Sequence, residues 1–146
     1  MMQVDEITAV LENVQGRVAD VAALLAENGI NILACSLADH GTSDRRNLQM
    51  IVNDTESAVV ILAKNGIEVS CSQVIVAETP DKPGGLAQIL LTVKKTGLYI
   101  QRLYAFSQRR GDKAIVVLGF ADIDQASKLL SRAGIRLLSN EKLLAM

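Results

Sequence analysis

The sequence predicts an α+β protein built from two tandem βαββαβ units, and three observations lead there. First, sliding the chain along itself by 68 positions brings Gly16 onto Gly84, Gly29 onto Gly97, Asp54 onto Asp122 and Gly66-Ile67 onto Gly134-Ile135. Second, apolar positions keep the same offset, as with Ile7 and Ile75, Val21 and Ile89, or Leu62 and Leu130. Third, the hydrophobic period within each copy switches in the order strand, helix, strand, strand, helix, strand. Turns and core positions that repeat in one register imply two copies of a single supersecondary unit.

The elements follow in order. Glu6–Glu12 is short, β-branched and alternating, and reads as a strand. After the turn Asn13-Val14-Gln15-Gly16, the residues Val18, Val21, Leu24 and Leu25 recur at helical spacing up to the stop Asn28-Gly29. Ile30–Ala38 and Arg45–Asn53 read as strands joined by a hairpin loop over 39–44. Asp54-Thr55 then caps a helix with Ala58, Ile61 and Leu62 inward, ending at Asn65-Gly66, and a last strand starts at Ile67.

The second copy restates this. Strand Gln73–Thr79 leads into the turn 80–85, and Leu86, Ile89, Leu90 and Val93 mark a helix that stops at Gly97. Strands Leu98–Phe106 and Asp112–Ala121 flank a loop, Asp122 caps a helix reaching Gly134, and Ile135–Leu138 is the last strand. Ser139–Met146 reads as a short helical tail. Right-handed crossovers leave one sensible arrangement per copy, the ferredoxin-like split βαβ, with its helices on one face of an antiparallel sheet. The copies are expected over 1–71 and 72–146, with the two strands at the seam joined near Ser70-Cys71-Ser72.

Composition narrows the function. At 146 residues the chain has the length of one ordinary domain, so each copy is small. A hydrophobic content of 49% argues against disorder, and a net charge of −1 gives no basic footprint for nucleic acid. No apolar run reaches a membrane span, and the N-terminus lacks a signal-peptide pattern. Two cysteines fit a reduced, cytoplasmic protein. The only histidine, His40, sits in a Gly/Ser/Asp loop, and neither Cys35 nor Cys71 has an evident base, so no catalytic constellation, metal site or cofactor is expected. Residues 12–18 and 79–86 contain no cysteine, which excludes a metal-chaperone loop. The first copy has no aromatics to stack RNA bases.

The turns after the first strands are the informative spots. Pro83 presets φ at the helix entry, while Gly84 and Gly85 leave the backbone accessible. First-turn N–H groups there would seat a carboxylate. Asp81 offers an acceptor for an ammonium group, although the same segment also reads as a plain helix-entry turn.

Asp81-Lys82-Pro83-Gly84-Gly85-Leu86, inside this frame and with Gly97 closing the helix, resembles the turn of the ACT domain. The resemblance covers nearly the whole chain as two units. It implies a module that binds a small amino acid where units pair, from the turn and the start of the second strand. In serine-binding members the pattern places Asn three residues before the loop glycine and two after the helix-ending glycine. Asn13 and Asn31 match it in the first copy, whereas Asp81 and Tyr99 stand there in the second. Val14-Gln15-Gly16-Arg17-Val18 keeps the polar pattern without the proline. Asn13 and Asn31 equally read as ordinary turn and post-helix residues. Arg17 has the reach for a bidentate carboxylate contact and also reads as a solvated first-turn arginine. The implied function is non-catalytic regulation of a metabolic partner enzyme by a homodimer. The alternatives are an oligomerisation scaffold or a regulatory subunit of an acetolactate-synthase-like enzyme.

Overall fold

The computed structural model describes residues 2–12, 15–40, 42–107 and 111–146. In chain order the elements are β1 (Val4–Glu12), α1 (Arg17–Glu27), β2 (Ile32–His40), β3 (Thr42–Val52), α2 (Thr55–Lys64) and β4 (Glu68–Pro80). Then follow α3 (Gly85–Thr96), β5 (Arg102–Ser107), β6 (Lys113–Gly119), α4 (Ile123–Arg132), β7 (Arg136–Leu137) and α5 (Asn140–Leu144). The chain divides into an N-terminal unit, Asp5–Ser72, and a C-terminal unit, Gln73–Met146 together with the residues up to Val4. Strand order is β2-β3-β1-β4 in the first and β5-β6-β4-β7 in the second, the order of a ferredoxin-like sheet.

The core of each unit follows from strand alternation meeting helical spacing. In the N-terminal unit Ile7, Ala9 and Leu11 of β1 and Leu48, Met50 and Val52 of β3 pack with Val21 and Leu25 of α1 and Ala58 and Leu62 of α2. Their counterparts Ile75, Ala77, Val116, Leu118, Ile89, Val93, Ala126 and Leu130 form the C-terminal core. Both helices of a unit therefore cover the same sheet face, because side chains two apart on a strand point the same way. Three of the four long helices end alike. Ile30, Ile67 and Ile135 donate their N–H to the carbonyls of Leu25, Leu62 and Leu130, just after Gly29, Gly66 and Gly134 at positive φ. This Schellman arrangement satisfies carbonyls the helix leaves free. α3 differs: the Thr96 hydroxyl takes the Val93 carbonyl at 2.6 Å, and Gly97 itself is the cap.

Three boundaries depart from the sequence reading. β4 runs unbroken through Ser70-Cys71-Ser72, which contains no glycine or proline to stop an extended chain. β2 and β3 pair as far as His40 opposite Thr42, so the expected six-residue loop over 39–44 is mostly strand. β5 begins only at Arg102, opposite Gly119, although the half-buried Leu98 and Ile100 still pack against the core. The C-terminal tail is helical, with Ser139 as its cap, and it turns back beside Glu78, Arg136 and Leu138.

Candidate functional site

The helix entries fall into two kinds. At α2 and α4 an aspartate closes the tip: Asp54 accepts from the Ser57 N–H at 3.2 Å, and Asp122 from the Gln125 N–H at 3.1 Å. At α1 and α3 the cap is a left-handed glycine, Gly16 with φ 86° and Gly84 with φ 90°, which has no side chain to close the tip. First-turn amides have no partner inside a helix and carry partial positive charge. A side chain at Gly16 or Gly84 would strain the backbone, although among the described residues beyond the chain neighbours nothing lies within 4 Å of a Cβ placed at either position. At α3 one amide is occupied, since the Gly85 N–H donates to the Lys82 carbonyl at 3.0 Å.

In the N-terminal unit, Gln15 and Gly16 are exposed at the tip of α1, and Arg17 and Val18 are half-buried in its first turn. Asn13 and Val14 lie outside the described residues, as do Arg109-Arg110 and the His40 side chain. Asn31 is exposed just before β2, and its backbone is pinned on both sides. Its N–H donates to Asn53 Oδ1 at 2.9 Å, and its carbonyl accepts from the Asn53 N–H at 3.1 Å.

In the C-terminal unit the turn is tied to the neighbouring hairpin. The Asp81 N–H donates to the Asp112 carbonyl at 2.7 Å, and Asp81 Oδ2 accepts from the Ser107 hydroxyl at 2.8 Å. Lys82, Pro83 and Gly84 are exposed, and Leu86 is exposed just inside the helix. Gly85 is buried, because a Cβ there would overlap the Pro80 carbonyl oxygen. Thr79 Oγ1 donates to the Gly85 carbonyl at 3.2 Å and fastens the strand end to the helix. Tyr99 is 82% exposed, while Tyr104 and Phe106 share the half-buried face of β5.

Each unit also contains a cleft that the sequence reading missed. The C-terminal one, about 280 Å³, lies under α3 and is lined by Glu78, Pro80, Gln88, Ile89, Lys113 and Arg136 among others. The N-terminal one includes Arg17, Asp20, Val21, Leu24, Asn65 and Ile67. Five lining positions coincide under the internal repeat: 20 with 88, 21 with 89, 24 with 92, 65 with 133, and 67 with 135. The available signal was Glu78 and Arg136, charged residues that follow or interrupt the apolar stretches 74–77 and 135–138.

No group of three or more His, Cys, Asp or Glu side chains suited to a metal occurs among the described residues. No helix among them is long and apolar enough to cross a membrane. Burial, followed by the nearby Asp5 and Glu6 carboxylates, pushes the Cys71 thiol above its ordinary range.

Fold and duplication together define a tandem ferredoxin-like protein. More narrowly, the sequence profile of the family described as an ACT domain pair matches residues 2–146, so the chain belongs to that family. Its shape is similar to the crystal structure of a protein from Bacteroides thetaiotaomicron, with a TM-score of 0.89 and 28% identity over 99% of this chain and 98% of that one. It is also similar to the regulatory subunit of aspartate kinase from Thermus thermophilus, solved ligand-free, with a TM-score of 0.62, 17% identity, and 91% and 93% of the two chains covered. The corresponding subunit from Thermus flavus gives 0.58, 18%, 89% and 92%. No curated protein sequence matches significantly.

Proposed function

We propose that this chain is a non-catalytic regulatory protein which binds a small amino acid at the entries of α1 and α3 and passes its occupancy to an enzyme of amino-acid metabolism. The observation that carries this reading is the contrast between entries. α2 and α4 close their tips with aspartate, whereas α1 and α3 begin on a bare left-handed glycine. A ligand α-carboxylate would meet first-turn amides near Val18 or Leu86. Asn13 with Asn31, or Asp81, would take the ammonium group and any polar side chain. Similarity to proteins described as regulatory subunits of aspartate kinase supports a regulatory role. Ligand coupling of this kind is typically about 1–3 kcal/mol, enough to bias a partner's activity.

A homodimer is part of the proposal, because the sheet edges β2 and β5 expose Leu37 at 41% and Leu103 at 43%. A scaffold that only oligomerises would use the same edges. Calorimetric titration with the twenty common amino acids separates the two. The regulatory reading expects heat from at least one amino acid, lost in Asn13→Ala or Asp81→Ala with dimerisation intact. Silence from all twenty leaves only the scaffold.

A further inference from the structure

Both helices of the N-terminal unit end on a sequence that the C-terminal unit lacks. α1 stops at Asn28-Gly29-Ile30 and α2 at Asn65-Gly66-Ile67, whereas the matching positions read Thr96-Gly97-Leu98 and Ala133-Gly134-Ile135. An asparagine followed by glycine is chemically labile, because no Cβ on the glycine obstructs attack by its nitrogen on the asparagine Cγ. The new N–Cγ bond closes a five-membered imide as the Cγ–Nδ2 bond breaks, and the side-chain nitrogen leaves as ammonia. Water then opens the ring at either carbonyl, giving aspartate or isoaspartate. Every other asparagine in the chain precedes a residue with a side chain.

Asn28, Gly29, Asn65 and Gly66 are all exposed, so water reaches them. The folded caps nevertheless oppose ring closure in three ways. The attacking nitrogen is engaged: the Gly29 N–H donates to the Ala26 carbonyl at 3.0 Å, and the Gly66 N–H to the Ala63 carbonyl at 3.1 Å. The leaving amide is engaged too, since Asn28 Nδ2 donates to the Leu24 carbonyl at 2.9 Å and Asn65 Nδ2 to the Ile61 carbonyl at 2.8 Å. The backbone also faces the wrong way. In the imide the glycine nitrogen and the asparagine Cβ lie on the same side of the Cα–C bond. With ψ of 15° at Asn28 and 17° at Asn65, that nitrogen sits beside the asparagine's own nitrogen and away from Cβ. The bonds from the Ile30 and Ile67 N–H groups lock this arrangement.

We propose that Asn28 and Asn65 are sites of spontaneous deamidation, protected while the last turns of α1 and α2 are formed and reactive whenever one of them frays. Refolding does not undo the change. A carboxylate at either position cannot donate to the Leu24 or Ile61 carbonyl, and it stands at the negative end of the helix dipole. Isoaspartate also adds a backbone methylene just ahead of the glycine N–H that the cap uses. The modification therefore accumulates in the N-terminal unit, and each event loosens the helix end on which it occurs.

The test is to incubate the full chain at pH 8, folded and in denaturing guanidinium chloride, and to follow conversion at each asparagine by peptide mass spectrometry. In the denatured chain Asn28 and Asn65 should convert ahead of every other asparagine. In the folded chain both should be slower by more than about tenfold, since a helix end is open for only a minor fraction of the time. Native-state hydrogen exchange at Gly29 and Gly66 in the unaltered chain should rank the two caps in the same order as their conversion rates. Ile30→Ala, which trims a buried side chain beside the first cap, should speed conversion at Asn28 more than at Asn65, and Ile67→Ala should do the reverse. The inference is overturned by equal rates in the folded and denatured chain, by faster conversion at another asparagine, by an opposite ranking in hydrogen exchange, or by equal acceleration of both sites in variants whose circular dichroism matches the parent chain.

Discussion

The turns that open α1 and α3 occupy matching places yet are built differently. In the C-terminal unit the Lys82 N–H donates to the Pro80 carbonyl and the Gly85 N–H to the Lys82 carbonyl, each at 3.0 Å, and Thr79, Asp112 and Ser107 hold the turn from outside. That tightness requires glycine at 85, where the Pro80 carbonyl oxygen fills the space of a side chain. The N-terminal unit carries Arg17 at the equivalent position, half-buried and helical. Duplication has kept the glycine caps and the aspartate caps in register while the turns between them diverged. The helix frame is therefore the shared part of the two units, and the turn is where their ligand chemistry is free to differ.

Exchanging the residues breaks or sharpens that contrast most directly. Gly85→Arg should destabilise the chain by about 3 kcal/mol, the upper range for forcing atoms into a filled site. The reverse exchange, Arg17→Gly, should cost about 1 kcal/mol or less, the ordinary penalty of glycine in a helix. Urea unfolding of both variants provides the comparison. Equal losses would mean that the two turns are not differently packed.

The aspartate caps test the conserved half of the comparison. Asp54→Ala and Asp122→Ala should each cost about 1 kcal/mol, as loss of an N-cap typically does, and the two values should match. A large disparity in thermal unfolding would show that the frames are not equivalent. These caps were legible in the sequence because the signal is local: an aspartate before a helical period, a glycine after it, and the backbone bonds that follow. β4 was less legible, since Ser70-Cys71-Ser72 permits a strand as readily as a joint. The clefts were hidden for another reason. Glu78, Lys113 and Arg136 are far apart in sequence, and only pairing of β4 with β6 and β7 sets them on neighbouring strands. Pattern placed Asp81 in a turn and Asn31 just after a helix, at the start of a strand. Their backbone ties to Asn53 and Asp112 depend on strand ends that periodicity does not locate.

The smallest expected effect concerns position 71, where the copies part company altogether. Its counterpart is Ser139, whose hydroxyl accepts from the Lys142 N–H and starts α5, whereas Cys71 lies within the extended β4. Cys71 is exposed as a residue, yet partial desolvation of its thiol raises its pKa, and the Asp5 and Glu6 carboxylates add to the cost of a thiolate. Because the thiolate is the nucleophile, a raised pKa means slower reaction at a given pH. Alkylation of Cys71 by iodoacetamide at pH 8, followed by peptide mass spectrometry, should therefore be slower than that of a free peptide thiol. Its rate should go on rising to higher pH than that of the free peptide thiol. Asp5→Asn removes one of the opposing charges and should accelerate the reaction, though by less than unfolding does, since burial is the larger cause. A rate matching the free thiol at pH 8 would mean that neither the partial burial of the thiol nor the two carboxylates hold it in its protonated form.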